Sequence, residues 1–282
     1  MTSSADWMER EANRPVPLHQ NRPLITLTTD FGTASPYLAA MKGVILTRCP
    51  QANLVDLTHE IPPQDITHAA YYLREAMPWF PTGSIHVVVI DPGVGTSRLP
   101  LCVTINDQHI LCPDNGLWTL IETKSAPVVH HMSNQKHHLP QISNTFHGRD
   151  VFAPGAAALA NGIPPDVLGP RLDQWQRLAW PAYRLEQNML HGEVIFIDRF
   201  GNLITNIPAE SLSHGTDSVQ IGTQSITRFV KTYGLAQPGE LITLISSNGY
   251  LEIAEVNGNA ARRLNVSRGQ SVVVVTSSRR YQ

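Results

Sequence analysis

From Leu24 onward, short apolar runs alternate with segments in which apolar residues recur at helical spacing. That is the pattern of a mostly parallel sheet flanked by helices. Leu24 to Thr28 predicts a first strand, ending at Thr29-Asp30-Phe31-Gly32. Ser35 then stands as an N-cap with Pro36 at the first helical position, and Tyr37, Met41, Val44 and Ile45 share one helical face. Asn53 to Leu57 predicts a second strand, followed by Asp65 as the cap of a helix that carries Ile66, Ala69, Leu73 and Met77 and stops at Pro78. Val87 to Ile90 reads as a strand buried on both faces, which leaves Asp91 at its carboxyl end, where open parallel sheets keep their ligand crevice. Leu101 to Ile105 and Ile110 to Cys112, joined by Asn106-Asp107, read as a hairpin. A short helix from Gly116, a strand from Pro127 to Met132, and a polar loop from Asn144 to Asp150 follow, the loop opening a small-residue helix from Ala153 to Ala160.

Between Gly162 and Asn188 proline recurs and periodicity fades, which places the domain connection there. Beyond it the runs Val194 to Asp198, Leu203 to Ile207, Leu241 to Ile245, Tyr250 to Ala254 and Ser271 to Thr276 are strands separated by turn residues. The expected organisation is a flexible tail over 1–22, an α/β, Rossmann-like domain over 23–175 and a smaller all-β barrel or sandwich over 190–282 that completes the site.

The composition of the 282 residues, 42% hydrophobic and 16% charged, is that of a globular chain, and the net charge of -2 lacks the basic surplus that nucleic-acid binding leaves. Cys49, Cys102 and Cys112 lie in apolar stretches without a CxxC pair and read as small buried hydrophobes in a reducing compartment. The N-terminal stretch has no apolar signal region, and no apolar run approaches the roughly 20 residues that span a bilayer. A soluble, cytoplasmic protein is expected.

Chemistry concentrates where polar clusters interrupt the apolar elements: Asp30, the turn from Asp91 to Arg98, Phe146 to Arg149, and Asp198 with Asn202. Asp91 leaves a strand, crosses a turn containing Pro92, Gly93 and Gly95, and meets Arg98 seven residues later; the arrangement serves either a ligand site or a loop-stabilising ion pair. His147 alone reads first as a loop histidine with a structural hydrogen bond, and the company of Asp91 and Arg98 turns the reading towards chemistry.

Taken in order, TTDFG at 28–32, MKGVI at 41–45, DLTHEIPPQD at 56–65, DPGVGTSR at 91–98, PDNG at 113–116, FHGRD at 146–150, DRFGN at 198–202 and SNGYLEIA at 247–254 resemble the S-adenosylmethionine (SAM) hydrolases, also called SAM hydroxide adenosyltransferases, relatives of the SAM-dependent fluorinase and chlorinase. The resemblance implies hydrolysis of SAM to adenosine and L-methionine through attack of water or hydroxide on the ribose C5' carbon, with Asp91, Arg98 and His147 as the catalytic set. The leaving group becomes a neutral thioether and needs no acid, so the difficulty lies in holding and stripping the water. An arginine beside it makes Asp91 a poor base, which favours His147 as the proton acceptor. The resemblance further implies substrate contacts from Asp30 (to the ribose hydroxyls), Phe146, Gly148, Asp198, Asn202, Tyr233, Ser247 and Glu252, a homotrimer in which second-domain groups reach a neighbouring subunit, and no cofactor, SAM being the substrate. Ser35 departs from the pattern: relatives often carry an acid there that helps hold the methionine ammonium. Halogenating relatives lack the Asp, Arg and His set and carry an aromatic where Gln64 sits.

Three alternatives stay open. A SAM-dependent halogenase would use halide in place of water. A SAM or adenosine sensor would need Asp30 and Phe146 without the catalytic set. A metallohydrolase would use Asp56, His59 and Asp65 among twelve histidines, although the pairs His130-His131 and His137-His138 lack ligand spacing such as HExxH.

Overall fold

A computed structural model describes residues 22–121, 123, 125–187, 189–212 and 216–276. The expected tail over 1–22 lies outside these residues, except for Arg22. The first sheet is built from β1 (Leu24–Thr29), β2 (Asn53–Thr58), β3 (Ile85–Val89), β4 (Pro100–Ile105), β5 (Gln108–Pro113), β6 (Val128–His131) and β7 (Arg171–Leu172), in the spatial order β2-β1-β3-β5-β4-β6-β7. It is parallel from β2 through β1 and β3 to β5, and antiparallel from β5 through β4 and β6 to β7. The sheet is therefore mixed rather than mostly parallel. The cause is local: Asn106 and Asp107 both adopt positive φ, 50° and 58°, which makes the two-residue turn that sends a chain straight back on itself.

Helix α1 (Pro36–Arg48) starts as its sequence predicts, Ser35 Oγ accepting from the Tyr37 N–H at 3.2 Å. Its buried face carries Leu38, Met41 and Ile45, with Tyr37 turned outward and exposed. Helix α2 (Ile66–Ala76) is capped by Asp65, whose Oδ1 accepts from the His68 N–H at 3.0 Å. Helix α3 (Ala153–Ala160) needs its small residues: a Cβ on Gly155 would stand 2.2 Å from Met132 Cε. A π-helical turn over Gly148–Phe152 precedes it, which the apolar pattern does not predict. Ile25, Leu27, Val87, Val89, Met41 and Phe152 belong to the core between this sheet and the helices.

The second sheet comprises β8 (Arg184–Glu186), β9 (Met189–Ile197), β10 (Leu203–Pro208), β11 (Thr216–Ile221), β12 (Gln224–Ile226), β13 (Leu241–Ile245), β14 (Tyr250–Glu255) and β15 (Ser271–Thr276). It runs antiparallel in the order β12-β11-β15-β9-β10-β14-β13, with β8 on β9, and forms a nearly closed, barrel-like sheet that carries the short helix α4 (Ala260–Leu264). Strands β11 and β12 are absent from the sequence reading because their polar faces break the apolar runs.

Two compact units result. One holds residues up to Ala69, Pro78–Asn115 and the segment ending at Gln176; the other holds the second sheet together with Ala70–Met77 and Gly116–Ile121. Packing explains these two additions. Tyr71 stacks on Phe196 with ring centroids 4.4 Å apart, and Gly116, at φ +85°, lies so close to the chain that a Cβ would be 2.5 Å from the Leu178 nitrogen. Among the described residues no helix is long and apolar enough to cross a membrane.

Candidate active site

Strand β3 is buried along its whole length and delivers Asp91 to its carboxyl end, where Asn115 Nδ2 donates to the Ile90 carbonyl at 2.9 Å and holds the chain in place. The turn beyond is tight. The Val94 N–H reaches the Asp91 carbonyl at 3.2 Å and the Thr96 N–H reaches Gly93 at 3.1 Å. Gly95 sits at φ +77°, and a Cβ there would fall 2.2 Å from the Asn144 carbonyl oxygen, so only glycine lets this turn press against the loop that carries Phe146 and His147.

Folded back by the turn, Arg98 grips Asp91 along one edge of its guanidinium: Nε donates to Oδ1 at 2.9 Å, and Nη2 contacts Oδ2. The same Nη2 donates to His147 Nδ1 at 2.9 Å. The Asp91 and Arg98 side chains are 7% and 9% exposed, so the pair is nearly dry and its electrostatics are far stronger than those of a surface ion pair. The buried Arg98 Nη1 finds no hydrogen-bond partner among the described residues. A guanidinium has no lone pair to offer, so Nδ1 is the acceptor, and a neutral His147 carries its proton on Nε2. Burial, and then the Arg98 charge, push the His147 pKa below its ordinary value, while Asp91 and Asp150 oppose that shift. The neutral ring is thereby favoured, and its Nε2–H is able to donate. This differs from the sequence expectation of His147 as proton acceptor, because the nitrogen with the free lone pair is already taken.

Asp30, at the end of β1, accepts from the Gln64 N–H through Oδ2 at 2.8 Å, with Gln64 held at φ +64°. Beside it Phe31, Tyr37 and Phe146 meet edge to face, with centroids 5.0 to 6.0 Å apart. Phe31 and Tyr37 are not among the expected site residues; Tyr37, expected on the apolar face of α1, turns instead to these rings while Leu38 takes the buried position. Gly148 is buried, and a Cβ there would lie 3.1 Å from Met41 Sδ and 3.3 Å from the Phe146 ring, which is why the loop can approach α1 so closely.

The remaining predicted residues gather in the second unit. Asp198, Tyr233, Ser247 and Glu252 line a cavity of about 680 Å³ whose walls include Tyr71 and Phe196. The Tyr233 hydroxyl donates to Glu252 Oε1 at 2.6 Å. Burial raises the pKa of both groups, the nearby Asp198 charge adding to the effect. Asn202 does not line the cavity. Its side chain donates to Asp198 Oδ2 at 2.9 Å and its N–H to Oδ1 at 2.8 Å, so it fixes Asp198 instead. Tyr71 and Tyr72, from α2, also line the cavity and were not predicted, since nothing local links that helix to the second sheet.

Among the described residues no group of three His, Cys, Asp or Glu side chains is arranged to hold a metal ion. The residues considered for one are engaged otherwise: Asp56 pairs with Lys42 at 2.6 Å and lies 3.1 Å from His59 Nε2, His59 Nδ1 is 2.9 Å from Thr29 Oγ1, and Asp65 caps α2.

Residues 25–169 match the SAM hydroxide adenosyltransferase N-terminal domain and residues 192–273 the SAM hydroxide adenosyltransferase C-terminal domain. The chain is 35% identical to an (R)-S-adenosyl-L-methionine hydrolase of Salinispora tropica and 37% identical to one of Thermus thermophilus, each match covering 89% of this chain, with 97% and 98% of the relative. Relatives named fluorinase match at 25 to 27% identity. A solved structure of an uncharacterized conserved protein from Thermotoga maritima superposes with a TM-score of 0.84 at 34% identity, covering 89% of this chain and 99% of the other. On two family domains that together span most of its length, the chain belongs to the SAM hydroxide adenosyltransferase family.

Proposed function

We propose that this protein hydrolyses SAM to adenosine and L-methionine by attack of water or hydroxide on the ribose C5' carbon. The observation that carries the reading is the single guanidinium that bridges Asp91 and His147 Nδ1. The new bond joins the water oxygen to C5'; the C5'–S bond breaks with its electron pair going to sulfur, and one proton is released to solvent. Attack by bound hydroxide releases that proton before the bond forms. Arg98 pairs with Asp91 and occupies His147 Nδ1, and the Nε2–H of His147 donates to the attacking oxygen and orients it along the C–S axis. Asp30 takes the ribose hydroxyls. Phe146 and Gly148 shape the nucleoside end, and Asp198, Tyr233, Ser247 and Glu252 take the cationic methionine end, with Asn202 acting through Asp198.

Several finer readings belong to the same proposal: a Rossmann-like first domain over 23–175, an all-β domain over 190–282, a homotrimer in which second-domain groups serve a neighbouring copy, a cytoplasmic location, and no cofactor. A halogenase is the less favoured reading, since Gln64 stands where halogenating relatives carry an aromatic.

The test is incubation of chelator-treated protein with SAM in isotopically labelled water. Label in the 5'-hydroxyl of adenosine, with methionine released, supports hydrolysis. A halogenated nucleoside formed with halide, dependence on metal, or unchanged SAM overturns it in favour of the halogenase, the metallohydrolase or the sensor. In the same assay His147→Ala lowers kcat far more than it raises KM; a pure KM effect moves His147 to binding.

A further inference from the structure

The loop that carries Phe146 and His147 contains a second acid, Asp150, which the reaction as proposed does not use. Its side chain is fully buried, and a buried carboxylate is costly unless its charge and lone pairs are met. Oδ1 accepts from Arg149 Nε at 2.6 Å, and Oδ2 accepts from Arg149 Nη2 at 3.1 Å and from the Ser143 N–H at 2.7 Å. On the backbone, Asp150 donates to the Phe146 carbonyl at 3.2 Å and accepts from the Leu139 N–H at 2.8 Å. All of these bonds run to the segment 139–149, so one buried residue in the π-helical turn gathers the loop to a point.

Two consequences reach the site. The Arg149 guanidinium, held by Asp150, lies over the Phe146 ring, 5.0 Å from its centroid, and Phe146 in turn packs edge-on against Phe31 and Tyr37. Asn144, in the same loop, supplies the carbonyl that abuts Gly95 of the turn leading to Arg98.

We propose that Asp150 and Arg149 form a positioning pair that sets the orientation of Phe146 and the placement of His147 against Arg98 without touching the substrate. The inference rests on Phe146 and His147 having the roles given above. It differs from a purely structural role in two respects. The pair fixes the face that Phe146 presents. It also sets the Asp150 carboxylate, ion-paired to Arg149, near an imidazole whose surroundings include Arg98, Asp91 and the titratable His138, and there Asp150 opposes the fall of the His147 pKa.

The experiment compares wild type, Asp150→Asn, Arg149→Met and the double variant by steady-state kinetics of SAM hydrolysis, and follows the His147 ring protons by NMR over a pH titration. Asp150→Asn keeps the volume and removes the charge. Its kcat falls by about ten- to a hundredfold, the range that small displacements of a catalytic group produce, and its His147 midpoint moves to lower pH. Arg149→Met changes a half-buried side chain, and KM rises several-fold with a smaller change in kcat. The double variant is no worse than Asp150→Asn, because without Asp150 the Arg149 guanidinium has already lost the partner that holds it over Phe146. Unchanged kinetics and an unchanged His147 midpoint in Asp150→Asn overturn the proposal, as do fully multiplicative effects in the double variant. Should Asp150→Asn fail to fold, Arg149→Met decides alone, and wild-type kinetic constants there overturn it. Wild-type protein inactive on SAM would defeat the functional reading instead, while the His147 titration still reports on the pair.

Discussion

Asp91, Arg98 and His147 in the first unit are bonded to one another through the Arg98 guanidinium, whereas Asp198, Tyr233, Ser247 and Glu252 in the second unit face an open cavity of about 680 Å³. The first group hangs on the end of a fully buried strand and on a glycine turn with no room for a side chain, so its geometry is set before any ligand arrives. The second lies on strands and loops of the second sheet, in a cavity walled partly by Tyr71 and Tyr72 of α2, with a buried acid whose charged form is disfavoured. Preorganised charge suits the step in which bonds change, and an acid-lined aromatic cavity suits retention of a cation. On the proposed function, the contrast predicts where damage is read: in kcat for the first region, in KM for the second.

The most severe way to break the contrast is Arg98→Met, which strands a nearly dry Asp91 carboxylate and frees His147 Nδ1. A kcat loss of about 10²–10⁴ with little change in KM is expected in steady-state assays, and a loss confined to KM would erase the distinction between the regions. Gly95→Ala comes next, since its Cβ would meet the Asn144 carbonyl at 2.2 Å on a backbone already at positive φ. Denaturant unfolding should show a loss of about 2–4 kcal/mol together with a drop in kcat; wild-type stability would mean that the turn and the loop move independently.

Acid sharpens the comparison through opposite signs. In the first unit burial lowers the His86 pKa from 6.5 to about 4, so the unfolded chain takes up a proton that the folded chain refuses. Stability is therefore lost as pH falls from about 6.5 to about 4, by on the order of 3 kcal/mol at most from this residue. Burial raises the Glu252 pKa in the second unit, so that group penalises folding as pH rises above the ordinary carboxylate range. Hydrogen exchange at pH 6.5 and 4.5 should show protection falling more in β3 and β5 than in β14, and equal loss would refute this difference. The smallest effect belongs to Tyr233→Phe, which removes the 2.6 Å bond to Glu252 and should raise KM by less than about tenfold at unchanged kcat.

Much of the fold was legible because the signals are local. Ser35 and Pro36 start α1, Asn106-Asp107 turns the hairpin, and the apolar run before Asp91 makes a buried strand, each by backbone preferences acting within a few residues. The first-unit part of the candidate site was legible for a related reason, since acids and glycines at strand ends have few structural uses. Other features escaped because their causes are distant in sequence. Leu38 replaces Tyr37 in the core because the site gathers aromatics from three segments. Ala70–Met77 joins the second unit because Tyr71 finds Phe196, 125 positions away. The π-helical turn escaped for another reason: it buries Asp150, a polar residue that an apolar pattern does not place inside.

By itself the sequence determined the strand-and-helix rhythm, the residues at the strand ends and the family to which they belong, because periodicity, caps and turns are properties of neighbouring residues. Only the tertiary structure decided that the first sheet is mixed, that Asn202 serves Asp198 rather than the cavity, and that His147 gives Nδ1 to Arg98 and so keeps its proton on Nε2. Those outcomes depend on which lone pair meets which donor across dozens of residues, and that is set by packing rather than by order along the chain.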